Sequence, residues 1–133
     1  MKKIEHIGIA VKDLKASNEL FASLLGKKHY KIEEVASEGV KTSFFKSGPN
    51  KIELLEATKP DSPIAKFIEK KGEGIHHIAF AVNDIVNEIT RLKKEGFTIL
   101  NENPKKGADN KLVAFLHPKT TNGVLIELCQ EID

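Results

Sequence analysis

Apolar and polar residues alternate along two stretches of the chain, residues 4–11 and 75–82, as they do in strands with one buried face. In the first stretch, bulky apolar residues share one face, and a histidine and two small residues share the other: Ile7, Ile9 and Val11 against His6, Gly8 and Ala10. An aspartate follows each stretch, Asp13 or Asp84, and apolar residues at helical spacing come after it. The pattern predicts a strand and a capped helix, twice.

The two stretches are copies of one sequence. Residues 5–14 read Glu-His-Ile-Gly-Ile-Ala-Val-Lys-Asp-Leu, and residues 76–85 read His-His-Ile-Ala-Phe-Ala-Val-Asn-Asp-Ile, at an offset of 71 residues. Repeats usually indicate solenoids or propellers, but two copies are too few for those architectures. The repeat therefore predicts a pseudo-symmetric pair of modules.

Further apolar runs predict three more strands in each module. These strands cover residues 30–35, 40–46 and 51–57 in the first half, and 97–100, 112–117 and 124–129 in the second. Turn residues separate them, including a hairpin signal at 121–123 and a loop at 103–110. Between the halves, Ser62 and Pro63 predict the start of a short helix, and residues 70–74 predict a linker.

The order of elements predicts an α+β fold built from two pseudo-symmetric βαβββ modules in a single domain. We place module one at residues 1–58, a bridge at 59–73 and module two at 74–133. Each module then begins with a histidine-bearing strand and ends with a strand that carries a glutamate.

Those two histidines and two glutamates predict the chemistry of the protein: His6, His77, Glu53 and Glu127. Small residues share the face of each histidine, which leaves the space that a bound ligand needs. Each glutamate lies between apolar residues, and a buried glutamate needs a cation or polar partners. Imidazole and carboxylate ligands suit a divalent transition metal. The repeat therefore predicts one metal site from all four residues at the junction of the two halves.

The other histidines and the cysteine carry weaker signals. His76 points to the opposite face from His77, so we interpret it as a packing residue or a support for its neighbours. A surface role is expected for His29, and Cys129 is expected to be an inert buried thiol.

Composition mainly excludes functions. Over 133 residues, 40% are hydrophobic and 30% are charged, which is typical of a globular protein. The net charge of +2 and the scattered lysines do not predict a nucleic-acid partner. The single cysteine cannot form an internal disulfide, and neither a signal peptide nor a membrane-spanning run is recognisable. A cytoplasmic location without a membrane partner is expected.

Several motifs resemble the vicinal oxygen chelate superfamily, which includes the glyoxalases, and within it the methylmalonyl-CoA epimerase family. The motifs are Ile4-Glu-His-Ile-Gly-Ile-Ala-Val, Lys51-Ile-Glu-Leu-Leu-Glu, Asp61-Ser-Pro-Ile-Ala-Lys-Phe, Gly74-Ile-His-His-Ile-Ala-Phe, Leu116-His-Pro-Lys and Gly123-Val-Leu-Ile-Glu-Leu. The resemblance implies that the modules pair into a curved, mainly antiparallel sheet around a metal. It implies His6, Glu53, His77 and Glu127 as ligands of a divalent ion, with cobalt favoured and manganese, nickel and zinc as alternatives.

The resemblance also implies the reaction, which is interconversion of (2R)- and (2S)-methylmalonyl-CoA through a metal-stabilised enolate. Inversion needs an acid/base group on each face of the enolate, and the resemblance assigns one such role to Glu127. Some epimerases carry a second glutamate where this chain has Thr42. Glu53 and Glu38 stay open as candidates for the second role.

The resemblance further implies an acyl-CoA substrate and a homodimer. Three lysines could meet the substrate carboxylate or the CoA phosphates, although solvated surface lysines are more common: Lys105, Lys106 and Lys119.

Three other functions compete with epimerisation. Glyoxalase I uses similar ligand positions for proton transfer next to a carbonyl. An iron dioxygenase needs open coordination positions, which a fourth ligand at Glu53 argues against. A drug-sequestering protein of the same fold needs no metal, and four intact ligand positions would then have no explanation.

Overall fold

Each half of the chain follows the expected order of strand, helix and three strands in the computed structural model, which describes residues 1–133. The first half contains β1 (Lys3–Ala10), α1 (Leu14–Leu25), β2 (Lys31–Val35), β3 (Val40–Ser47) and β4 (Asn50–Ala57), and α2 (Pro63–Lys71) follows. The second half contains β5 (Gly74–Ala81), α3 (Ile85–Lys94), β6 (Lys105–Lys106), β7 (Lys111–Leu116) and β8 (Ile126–Glu131). Short 3₁₀ turns occupy Ala36–Glu38, Ala108–Asn110 and Pro118–Thr120. The predicted α+β fold of two βαβββ modules is confirmed.

The chain divides into two compact units, and their boundaries differ slightly from those of the two sequence modules. One unit comprises residues 6–76, and the other comprises residues 1–5 with 77–133. The N-terminal residues join the second unit through the backbone, because the amide of Lys2 donates to the carbonyl of Ala81 at 2.9 Å. The assignment of one domain with a bridge at 59–73 stays a prediction.

In the unit of residues 6–76, the strand order is β2-β3-β4-β1. β1 runs parallel to β4, and the other two pairs are antiparallel. One face of these strands packs against α1 through a cluster of four buried residues: Val11, Leu14, Phe45 and Leu54. Part of the opposite face packs against α2 through Ala10, Leu55 and Ile64.

In the unit that contains residues 77–133, the strand order is β5-β8-β7-β6. β5 runs parallel to β8, and the other two pairs are antiparallel, as in the first unit. The apolar side of α3 packs on these strands and forms the largest buried cluster: Val82, Ile85, Ile89, Leu92, Ala114, Leu116 and Leu128. The repeat therefore produces the same order and the same directions of strands twice.

The predicted helix caps are confirmed. Asp13 accepts a hydrogen bond from the amide of Ala16, Asp84 from that of Asn87, and Ser62 from that of Ala65. Pro63 takes the first helical position, where its missing N–H costs nothing. Gly26 ends α1 with φ of 77°, the left-handed conformation in which a side chain would be strained.

The strand predicted at residues 97–100 was wrong. Those residues form only one bridge, between Ile99 and Leu116, while the two-residue β6 lies in the segment that was predicted as a loop. A side chain replaces part of the backbone ladder here. Oδ1 of Asn101 accepts from the amide of Phe115 at 2.9 Å, and its Nδ2 donates to the carbonyl of Val113 at 3.3 Å.

Three boundaries also differ from the predicted ones. α2 continues through Lys71, so the linker before β5 shrinks to Gly72 and Glu73. The last strand occupies Ile126–Glu131 rather than residues 124–129. The connection after β7 is a 3₁₀ turn at Pro118–Thr120 followed by a further turn, rather than a tight hairpin. None of the three α-helices has the length and apolar content needed to cross a membrane.

Candidate active site

The first predicted ligand pair comes together in the unit of residues 6–76. Nδ1 of His6 lies 3.1 Å from Oε2 of Glu53, and both residues are only 5% exposed. The parallel pairing of β1 and β4 brings them together, because Gly8, two residues after His6, is the direct ladder partner of Glu53. The small residue at position 8 leaves room beside the glutamate for the imidazole.

The second pair comes together in the other unit by the same arrangement. Nε2 of His77 lies 3.1 Å from Oε1 of Glu127, and both residues are 6% exposed. Ala79, two residues after His77, is the ladder partner of Glu127, just as Gly8 is that of Glu53. On the other side of Glu127, Phe115 is its antiparallel partner and stands edge-on to His77, with ring centroids 6.1 Å apart.

The two frames match further. Phe44 is the antiparallel partner of Glu53, and Phe115 occupies the equivalent position at the repeat offset of 71 residues. The pairs differ in one respect, since His6 presents Nδ1 to its glutamate and His77 presents Nε2. Each buried carboxylate therefore has an imidazole beside it. Such a partner is expected, because burying a charged group without one is costly.

The donor set fits a divalent metal. Each pair offers imidazole nitrogen and carboxylate oxygen, and neither pair contains a thiolate that would favour softer ions. Burial of all four side chains restricts competing water, and the contact between each histidine and its glutamate orients both groups.

The remaining histidines serve packing and turns. The ring of His76 packs edge-on to Phe67 at 5.0 Å, and His29 packs edge-on to Phe45 at 5.9 Å. His117 precedes a 3₁₀ turn, where its Nδ1 accepts from the amide of Lys119 at 3.0 Å. Cys129 is buried, and its thiol donates to the carbonyl of Phe80.

Two charged groups on the site-bearing faces were missed by the sequence analysis. Glu33 on β2 shares a face with Thr42, because the two are ladder partners. Lys111 on β7 shares a face with Phe115 and is only 7% exposed, and its Nζ lies 3.6 Å from Glu131. Alternation along β2 predicts two faces, but only the register with β3 shows which one carries Glu33.

Comparison with known proteins places these features in a family. Residues 5–115 match the Glyoxalase/Bleomycin resistance protein/Dioxygenase superfamily. The ethylmalonyl-CoA/methylmalonyl-CoA epimerase of Cereibacter sphaeroides is 42% identical over 130 residues, which cover 96% of this chain and 97% of that protein. The human mitochondrial methylmalonyl-CoA epimerase is 40% identical, over 96% of this chain and 73% of that protein.

A solved structure extends the similarity to the fold. A methylmalonyl-CoA epimerase in complex with methylmalonyl-CoA and NH4⁺ superposes with a TM-score of 0.94 at 34% identity. The superposition covers 98% of this chain and 95% of that one.

Proposed function

We propose that this chain interconverts the (2R) and (2S) epimers of methylmalonyl-CoA, because it belongs to the methylmalonyl-CoA epimerase family of the glyoxalase superfamily. The observation that carries the proposal is the repetition of one buried histidine–glutamate pair in both modules. A relative of 34% identity whose fold superposes on this chain was solved with that substrate bound.

Four residues would hold a divalent ion: His6, Glu53, His77 and Glu127. Their nitrogen and oxygen donors suit cobalt, which the family resemblance favours, as well as manganese, nickel and zinc. When bound, such an ion supplies Lewis-acid stabilisation for the negative charge that develops on the substrate thioester.

Glu127 would transfer the proton, acting beside the metal or in exchange with it. The α-carbon of methylmalonyl-CoA lies between a thioester and a carboxylate, so its C–H bond can be broken with the charge delocalised onto the thioester oxygen. In its carboxylate form Glu127 takes the proton from one face of that carbon, and in its acid form it returns one. His77, at 3.1 Å, holds the carboxyl group in place. Glu53 is the corresponding group of module one and is our sequence-based candidate for the second role.

The acyl-CoA substrate brings phosphates that need cations. Lys105, Lys106 and Lys119 are exposed, so their ammonium groups are accessible to such phosphates. A homodimer and a cytoplasmic location stay predictions from the family resemblance and the composition.

The test is turnover of each purified epimer of methylmalonyl-CoA, with protein prepared without chelators and with its metal content measured. We expect epimerisation that a chelator abolishes and a divalent ion restores. Glu127→Gln should lower the rate by about 10²–10⁴-fold, the usual range for a general acid–base group. Glu131→Gln is the matched control on the same strand, since that side chain is 83% exposed. Turnover of a glutathione hemithioacetal without epimerisation would instead identify a glyoxalase.

A further inference from the structure

We infer that the imidazole of His117 binds an oxyanion of the acyl-CoA substrate through its Nε2–H group. The inference rests on the proposed epimerase function and adds a substrate contact to it. The substrate carries oxyanions at both ends, the carboxylate of the methylmalonyl group and the phosphates of CoA.

A backbone hydrogen bond fixes the protonation of the His117 ring. Nδ1 accepts from the amide of Lys119 at 3.0 Å. A backbone amide can only donate, so Nδ1 carries no proton while this hydrogen bond is made, and the neutral ring carries its proton on Nε2. His117 is therefore a hydrogen-bond donor with a single N–H group on its ring.

The backbone of His117 is held in place as well. Its amide donates to the carbonyl of Thr98 at 2.8 Å, and its carbonyl accepts from the amide and the hydroxyl of Thr120 at 3.2 and 3.1 Å. The same hydroxyl accepts from the amide of Thr98 at 3.2 Å. The ring is thus positioned before a ligand arrives, and little side-chain entropy is lost when one binds.

Nε2 of His117 is left for a ligand. It forms no hydrogen bond with the protein, and it is accessible to solvent, because the buried polar side-chain atoms without a partner are Oδ1 of Asn18 and Oγ of Ser43. Capping does not need such a donor, since Asp13 and Asp84 cap α1 and α3 with oxygens and have no N–H group in their side chains. A histidine at the capping position therefore adds a donor that the cap does not use.

His117 lies on the face of its unit that carries Glu127. Leu116 packs in the core beneath α3, so the residues before and after it point to the opposite face. Phe115 is the ladder partner of Glu127, and the backbone of His117 is still extended, with φ of −67° and ψ of 133°. Residues placed diagonally across a ladder have Cβ atoms about 7–8 Å apart, which is the separation expected for His117 and Glu127.

The register also aligns His117 with His77. β8 lies between β5 and β7, and Ile126 has a ladder partner on each of them. One residue further along, the same row places Leu125 between His77 and His117, which are two strand spacings or about 10 Å apart. An acyl-CoA molecule that reaches Glu127 is long enough to contact His117 as well.

The turn that follows His117 favours an anionic ligand. Residues 117–124 contain no aspartate or glutamate, and the exposed Lys119 adds an ammonium group. Hydrogen bonds from N–H groups to ionised oxygens are stronger than those to neutral ones. An oxyanion therefore gains most from this donor.

Two substitutions separate the capping role of the ring from the donor. The oxygen of asparagine lies two bonds from Cβ, as Nδ1 does, whereas the nitrogen of glutamine lies three bonds away, as Nε2 does. His117→Asn should therefore keep the cap and lose the donor. With the divalent ion present, we expect its thermal stability to match the wild type and its KM for methylmalonyl-CoA to rise about 10–100-fold at nearly unchanged kcat, the loss of a hydrogen bond to a charged group. His117→Gln should lose stability and keep a KM closer to that of the wild type.

Methylmalonyl-pantetheine, which lacks the phosphates of CoA, shows which oxyanion is bound. If His117 binds the carboxylate, His117→Asn raises KM for both thioesters alike. If it binds a phosphate, only the KM for methylmalonyl-CoA rises. The matched control is Asn122→Gly in the same connection, where φ of 56° suits glycine, and its KM values should stay within about twofold of the wild type.

Two results would overturn the role of His117. The first is a pair of KM values in His117→Asn that match the wild type for both thioesters, and the second is an equal rise in KM for His117→Asn and His117→Gln, which indicates a structural role. The proposed function fails in a different way, through a wild-type enzyme that epimerises neither thioester. In that case the dissociation constant of methylmalonyl-CoA, measured by calorimetry, replaces KM. Equal dissociation constants for the wild type and His117→Asn, or a wild type that does not bind methylmalonyl-CoA, then overturn the contact.

Discussion

Replacing His77 by alanine tests whether the buried pair determines stability as well as chemistry. The imidazole lies 3.1 Å from the Glu127 carboxylate, both groups are buried, and Phe115 packs edge-on to the ring. Removing the imidazole deletes a hydrogen bond to a charged group, which contributes about 1.5–3 kcal/mol, and an edge-on aromatic contact, which contributes about 0.5–1.5 kcal/mol. We therefore expect His77→Ala to lower the free energy of unfolding by about 3 kcal/mol in the presence of a chelator.

Urea denaturation provides the measurement. With a slope of about 1–3 kcal/mol per molar urea for a protein of this size, the midpoint should fall by about 1–3 M. His76→Ala is the matched control, because the neighbouring ring contacts Phe67 on the opposite face. An edge-on aromatic contact contributes about 0.5–1.5 kcal/mol, so this variant should lose clearly less stability.

A divalent ion separates packing from ligation in the same experiment. At 100 times its dissociation constant, an ion that binds only the folded state stabilises the protein by about 2.7 kcal/mol. We expect that increment for the wild type and His76→Ala and a smaller one for His77→Ala. Equal midpoints for the two variants would refute the energetic argument, and an equal metal increment would show that His77 is not a ligand.

Two further substitutions test hydrogen bonds elsewhere in the unit that contains residues 77–133. The hydrogen bond from Arg91 holds the pKa of Glu88 below its usual range, so the stabilisation is present above the unfolded carboxyl pKa and is lost as the pH falls through the folded one. Glu88→Gln should therefore destabilise the fold by about 0.3–1 kcal/mol at pH 7 and by progressively less in acid, and a pH-independent difference in thermal unfolding would contradict this. Asn101→Ala removes two hydrogen bonds to the backbone of β7 and should cost about 1–3 kcal/mol in urea denaturation. A loss no larger than that of Asn103→Ala would show that these hydrogen bonds do not hold the strand.

Strand parity predicted the histidine faces correctly. His6 and His77 are buried with small neighbours, whereas His76 packs on the other side, because successive residues of a strand point in opposite directions. The three helix caps could likewise be predicted, since each depends on residues a few positions apart. The strand faces and the helix caps could be predicted because each depends on residues that are close together in the sequence.

Other features depend on contacts that are distant in the chain. The backbone ladder beside β7 is interrupted, because the side chain of Asn101 takes the hydrogen bonds that a neighbouring strand would otherwise make. The periodicity of apolar residues does not predict such a side-chain contact. The face of Glu33 depends on the register of β2 with β3, which alternation alone leaves undetermined. The sequence therefore showed the candidate ligands but not the acidic group beside Thr42.

The duplication explains the proposed ligands and the proposed acid/base groups to different extents. Gly8 beside Glu53 repeats as Ala79 beside Glu127, so symmetric duplication alone provides two equivalent histidine–glutamate pairs. Inversion at carbon, however, needs two groups that treat opposite faces of one atom, and these need not be related by the repeat. At the repeat offset, Thr42 corresponds to Val113, so neither module carries a carboxylate at that position. The repeat therefore does not determine the second base of the proposed reaction, and Glu53, the counterpart of Glu127 in module one, stays its sequence-based candidate.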